Sequence, residues 1–172
     1  MFLGRLSNVK GLDLILHSIA TLRQEGIVLY LALVGSGEQE QALRQLCSRL
    51  SLESQIFFIG QKESTELPEI LACGDFAMFA SHTEGFPLAL LECMASGLPV
   101  VTTRAGDIAN VVVNGCNGLI LDNRTITSYA AACKHMMNRF PMMAGEAVRT
   151  ANMYSQQAMF NKFADILYTI CR

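Results

Sequence analysis

SHTEGFPLALLECMASGLPVVTT, residues 81–103, holds a loop, a helix and a strand in succession. Pro87 suits a first helical turn, where its missing N–H would be unpaired anyway. Phe86 to Ser96 runs on in Leu, Ala, Cys and Met, and Gly97 is a stop signal. Pro99 to Thr102 then reads as a short strand. Between Glu84 and Arg104 the one charged side chain is Glu92. A carboxylate on a helix that is apolar nearly all round is costly unless something hydrogen-bonds it.

The same alternation continues on both sides. Leu12, Ile15, Leu16, Ile19 and Leu22 have helical spacing, with Gly11 before them and Gly26 after. Ile27 to Val34 is an apolar run that predicts a strand buried on both faces. Gly35-Ser36-Gly37 breaks it, and a helix is expected from Glu38 to Leu50. Ile56 to Ile59 predicts a second buried strand ending at Gly60, Thr65 to Ala72 a short helix, and Phe76 to Phe79 a strand. Gly118 to Leu121 adds another strand, and from Ile126 the pattern is helical. Ser155 is the expected N-cap of a last helix carrying Met159, Phe160, Phe163, Ile166, Leu167 and Ile170. Strand–helix repetition of this kind predicts an α/β fold: a Rossmann-like open parallel sheet with helices on both faces.

Length and composition narrow the function. At 172 residues the chain is expected to be a single domain, 1–172, with a full core. A net charge of -2 argues against nucleic acid as a partner. No apolar run approaches the ~20 residues that cross a bilayer, and the first residues do not read as a signal peptide. Cys47, Cys73, Cys93, Cys116, Cys133 and Cys171 are scattered without metal spacing, so reduced core cysteines in a cytosolic protein are expected. Met1-Phe2-Leu3 looks like the end of a strand, which suggests a piece of a longer protein.

Ligands of open parallel sheets bind beyond the carboxyl ends of the strands. The loops there hold Gly4-Arg5, Gly35-Ser36-Gly37, Gly60-Gln61-Lys62, Ser81 to Gly85, and Thr102 to Asp107. Gly35-Ser36-Gly37 lacks the third glycine of a dinucleotide fingerprint, so a tight turn and a ligand role both stand. Arg5 and Lys10 together suit a diphosphate, with solvated surface cations as the alternative. Glu84 precedes the apolar helix and Glu92 lies eight residues on, about 12 Å along a helix axis. His82 lies in a ligand-side loop, whereas His17 and His135 read as surface residues. No His stands at metal-ligand spacing with acidic residues, so no metal site is expected.

Glu84-Gly-Phe-Pro-Leu-Ala-Leu-Leu-Glu92 resembles the E-x7-E motif of the retaining GT-B glycosyltransferases of the group 1 family. Gly4-Arg5-Leu6, Lys10-Gly11, Val34-Gly35-Ser36-Gly37, Phe58-Ile59-Gly60, Ala95 to Val101 and Asn117-Gly118 agree in order, over essentially the whole chain. The resemblance implies the C-terminal, donor-binding half of a GT-B fold, lacking the N-terminal acceptor domain. It implies that Arg5 and Lys10 neutralise the departing diphosphate and that Glu84 lies at the donor sugar; these three are the catalytic candidates. Glu92 would bind the ribose hydroxyls. Backbone N–H groups of Phe86 and Leu88 would face the phosphates, with Gly4, Gly35, Gly37, Gly60, Ser81 and Gly85 as further donor-binding positions.

The substrate implied is a nucleotide-diphosphate sugar, with no cofactor and no metal. The acceptor would be a glycan or a lipid-linked molecule. The expected location is cytoplasmic, at most peripheral to the inner face of the membrane, with membrane contact only through the missing domain. A non-catalytic nucleotide-sugar-binding module and an epimerase of similar fold stand as alternatives. Three positions depart from the family pattern: Pro87 for a common Gly, Cys93 for Ala, and Asn110 for Glu. The last helix resembles one that packs toward the missing domain, so its apolar surface is expected to be partly exposed.

Overall fold

The computed structural model describes residues 1–170. Cys171 and the side chains of Leu167 and Ile170 lie outside the described residues. Strand β1 (Phe2–Leu3) leads through a 3-10 turn (Asn8–Lys10) into α1 (Leu12–Gln24), β2 (Leu31–Val34), α2 (Glu40–Arg49) and β3 (Ile56–Gly60). Then come α3 (Leu67–Leu71), β4 (Ala77–Phe79), α4 (Leu88–Ala95), β5 (Val100–Thr103), α5 (Ile108–Val111) and β6 (Gly118–Leu121). Three helices follow: α6 (Ile126–Met137), α7 (Phe140–Met153) and α8 (Gln156–Ile170).

The strands form two parallel three-stranded sheets, β1-β2-β3 and β4-β5-β6. Met1 joins them. Its amino group donates to the Phe76 carbonyl at 2.8 Å, and the Met78 N–H donates to the Met1 carbonyl at 2.8 Å. Across the join the strands run 3-2-1-4-5-6, so the direction of winding reverses between β1 and β4. That reversal is where a doubly wound fold opens a crevice at its carboxyl edge. The core is built from Phe2, Leu6, Ile15, Ile19, Leu31, Leu33 and Met78, all fully buried. Tyr129 of α6 is equally buried, and its hydroxyl lies 3.0 Å from the carbonyls of both Phe79 and Val101. Burial pushes its phenol well above the ordinary tyrosine range.

Two expected strands differ in detail. Of the run from Ile27, only Leu31–Val34 pairs as a strand, and Val28 and Tyr30 are exposed. β3 is an edge strand, with Phe57 and Ile59 half-exposed on one side. The physical reason is the brevity of α3, at five residues. It leaves a cavity of ≈ 590 Å³ bordered by Val28, Tyr30, Phe57, Ile59 and Ile70. Continuous apolar runs therefore appear on a sheet that is covered on one face only there. Cys47, Cys93 and Cys133 are core residues as expected, but Cys73 and Cys116 are exposed. On α8, Met159, Phe160, Phe163 and Ile166 are exposed. No helix among the described residues is long and apolar enough to cross a membrane.

Candidate active site

The loops beyond the carboxyl ends are tied into one rim. Gly4 N–H donates to Val34, Leu6 N–H to Ser36, and Gly35 N–H to Gly60. His82 N–H donates to the Val9 carbonyl at 2.8 Å, linking the loop after β4 to the 3-10 turn after β1. That turn presents Lys10, whose Nζ donates to Glu84 Oε1 at 2.6 Å. Ser81 Oγ donates to the same oxygen at 2.9 Å. Both charges are largely shielded, with 23% and 15% of the Lys10 and Glu84 side chains accessible. A short charge-assisted bond in such a setting fixes geometry more firmly than a surface pair does. Both bonds fall on Oε1, and Glu84 Oε2 takes no hydrogen bond from the described residues.

α4 begins later than its sequence suggests. Pro87, with φ -84° and ψ 64°, forms an inverse γ-turn in which Leu88 N–H donates to the Phe86 carbonyl at 2.9 Å. The Leu88 N–H is therefore spent, contrary to the expectation that it faces a phosphate. The N–H groups of Ala89 and Leu90 have no acceptor among the described residues. Ala89 and Leu90 line a cavity of ≈ 190 Å³ together with Lys10, Glu84 and Phe86. Glu84 stands four residues before the helix, so spacing along a helix axis does not describe its separation from Glu92.

Glu92 needs a second correction. It is exposed on α4, not buried, and its carboxylate has no hydrogen-bond partner among the described residues. Leu90, Leu91, Cys93 and Met94 form the buried face. Leu88, Glu92 and Ala95 form an exposed stripe at helical spacing. Because two of those three are apolar, the sequence shows no polar face. Apolar surroundings still partly desolvate Glu92 and raise its pKa above the ordinary carboxylate value.

Arg5 is exposed and has no partner among the described residues. It lines a cleft of ≈ 470 Å³ with Gly4, Gly35, Ser36, Gly37, Gln61 and Lys62. Lys10 borders the other cavity, so the two cations open onto different hollows of the same rim. Gly35 and Gly37 are demanded by loop packing: a Cβ would stand 2.0 Å from the Gly4 carbonyl oxygen at one and 2.3 Å from that of Leu6 at the other. The loop is a tight crossing first, and a wall of the cleft because of it. Gly60 and Gly85 have open space where a side chain would be.

Thr103 and Gly106 lie in the Thr102 to Asp107 loop expected on the ligand side but had no role assigned, and Arg124 was not expected at the site at all. A Cβ on Gly106, at φ +48°, would lie 1.8 Å from the Glu84 carbonyl oxygen, so this glycine lets the loop after β5 press on Glu84. Thr103 Oγ1 donates to the Ser81 carbonyl at 3.1 Å. Arg124, just beyond β6, donates through Nη1 to the carbonyls of Ala80 at 2.6 Å and Ser81 at 2.7 Å. All three sit at carboxyl ends of strands. Applying that rule to the segment after β6, as it was applied to the loop after β5, points to Arg124.

A doubly wound sheet with charged groups gathered at its reversal point is the architecture of a nucleotide-handling domain, here of the GT-B glycosyltransferase type. Residues 1–147 match the family described as glycosyl transferases group 1, and the chain belongs to that family. It is 31% identical over 179 residues to the putative colanic acid biosynthesis glycosyltransferase WcaL of Salmonella typhimurium, covering 97% of this chain and 44% of that one. It thus spans less than half the length of this relative. The pneumococcal O-GlcNAc transferase GtfA, solved with UDP and GlcNAc, superposes with a TM-score of 0.84 at 22% identity, over 99% of this chain and 35% of GtfA. Anabaena HepE, solved with UDP, gives a TM-score of 0.82 at 25% identity, over 98% of this chain and 48% of HepE.

Proposed function

We propose that residues 1–172 form the donor-binding half of a retaining hexosyltransferase that uses a nucleotide-diphosphate sugar. The observation that carries this is Glu84, held by Lys10 and Ser81 through one oxygen with the other free, beside the start of α4. Glu84 accepts a donor sugar hydroxyl. Arg5, Lys10 and the first-turn N–H groups of α4 stabilise negative charge as the diphosphate leaves. In this reading those groups supply the positive charge, and no metal is needed. Glu92, without a partner on the rim, accepts from a ribose diol, and two hydroxyl donors would lower its raised pKa again.

The acceptor is a glycan or lipid-linked molecule held by an N-terminal domain outside this chain, and the product belongs to a cell-surface polysaccharide made on the cytoplasmic side. The likeness to WcaL supports that assignment. Alone, the chain binds donor weakly and transfers little sugar. Calorimetric titration of the folded chain with UDP, GDP and ADP tests the reading. At least one should bind, and Glu92→Ala should weaken it. Failure of all three to bind would remove the proposal.

A further inference from the structure

We infer that Arg124 is a positioning residue for this site: it fixes His82 as the Nδ1–H tautomer and holds the Ala80–Glu84 segment in register. The inference rests on the donor-site reading only for its consequence, not for the geometry.

One guanidinium gathers three loops. Nη1 donates to the Ala80 and Ser81 carbonyls and lies 3.0 Å from Thr103 Oγ1. The Thr103 hydroxyl gives its own hydrogen to the Ser81 carbonyl, so its lone pair faces Nη1, whose two hydrogens are shared among the three oxygens. From the third side, a Cβ on Gly11 would stand 2.7 Å from Nη2, which places the guanidinium directly under the turn carrying Lys10. The residue after Arg124 caps α6: Thr125 Oγ1 accepts from the Ser128 N–H at 3.2 Å, which anchors the backbone from which Arg124 reaches. None of these acceptors is a carboxylate. Among the described residues the Arg124 charge has no acidic partner, and it lies beneath the segment that bears Glu84.

Nη2 is 3.2 Å from His82 Nε2. A guanidinium has donors and no acceptor, so Nε2 must offer its lone pair. Neutral His82 then carries its proton on Nδ1, the reverse of the form an imidazole side chain prefers in water. Two consequences follow. Nε2 is occupied and cannot serve as a general base. Nδ1–H becomes a fixed donor on a loop already tied by the His82 N–H to Val9. Arg124 touches no reacting group. It acts through Ser81, which bonds Glu84, and through the ring of His82.

Long-range proton–nitrogen correlation spectra of the 15N-histidine-labelled chain, recorded where imidazole is neutral, decide the point. His82, assigned by the signal lost in His82→Gln, should show the Nδ1–H pattern in the unaltered chain. In a folded Arg124→Met chain it should revert toward Nε2–H. An Nε2–H pattern in the unaltered chain, or no change in Arg124→Met, overturns the inference. The first outcome needs no variant, so misfolding of Arg124→Met cannot shelter it. Titration with UDP reads the consequence: Arg124→Met should lose about tenfold in affinity, the scale of one misaligned hydrogen bond, and unchanged affinity overturns the positioning role. If the unaltered chain binds no nucleotide, the donor-site reading fails, while the tautomer still decides this one.

Discussion

The rim over β1–β3 and the rim over β4–β6 are held in different ways. Over β1–β3, loops cross by backbone contact: Gly4 to Val34, Leu6 to Ser36, Gly35 to Gly60. The cation there, Arg5, makes no bond to the described residues. Over β4–β6, side chains do the tying: Ser81 on Glu84, joined there by Lys10 reaching across from the turn after β1, Thr103 on Ser81, and Arg124 on two carbonyls and a ring. One half presents a cleft with free charge, and the other presents charge that has already been spent on geometry. Under the proposed function, a departing diphosphate uses both. Donors aimed in advance cost little reorganisation, and an unpaired cation has charge to give.

The β4–β6 rim should therefore be fragile to small changes. The largest effect is expected from Gly106→Val. A β-branched residue at φ +48° with the Glu84 carbonyl in its way combines left-handed strain with overpacking, together about 3 kcal/mol. Denaturant unfolding would measure it, with Gly85→Ala as a near-neutral control, since Gly85 has open space. Equal losses in both variants would mean the loop contact is not what holds Glu84.

Lys10→Met comes next. The Lys10–Glu84 pair lies between an exposed ion pair and a fully buried one, so removing the cation should cost about 2 kcal/mol. A double-mutant cycle with Glu84→Gln gives the coupling, and additivity of the two losses would show that the pair is not one unit. Donor affinity should fall with it, since the carboxylate loses one of its two fixed partners.

The same contrast explains what could be read from the chain and what could not. The strand–helix alternation was legible because buried parallel strands are apolar runs and glycines punctuate them, as at Gly26, Gly60 and Gly97. Glu84, Lys10 and Arg5 were legible as charges beside glycine-bearing loops. Their pairing was not: Lys10 and Glu84 are 74 residues apart, and only the sheet order brings the first and fourth loops together. Glu92 misled because the exposed stripe of α4 is mostly apolar. The Leu88 N–H misled because a γ-turn at Pro87 leaves no local mark in composition. Arg124 and Gly106 act through backbone carbonyls, which every residue carries, so nothing in their neighbours' side chains announces them.

Arg5→Ala is the smallest expected effect on stability and the sharpest test of the contrast. Arg5 is exposed and unpartnered among the described residues, so the folded chain loses no contact when it goes, and unfolding free energy should stay within about 0.5 kcal/mol. Its proposed role lies with the ligand. Affinity for a nucleoside diphosphate should drop, while affinity for the corresponding nucleoside, which lacks the charge, should hold. Calorimetry on both ligands reads this directly. Equal losses for the two would deny Arg5 a part in holding the diphosphate. A stability loss as large as that of Lys10→Met would deny the contrast itself, because the β1–β3 rim would then also be spending its charge on the fold.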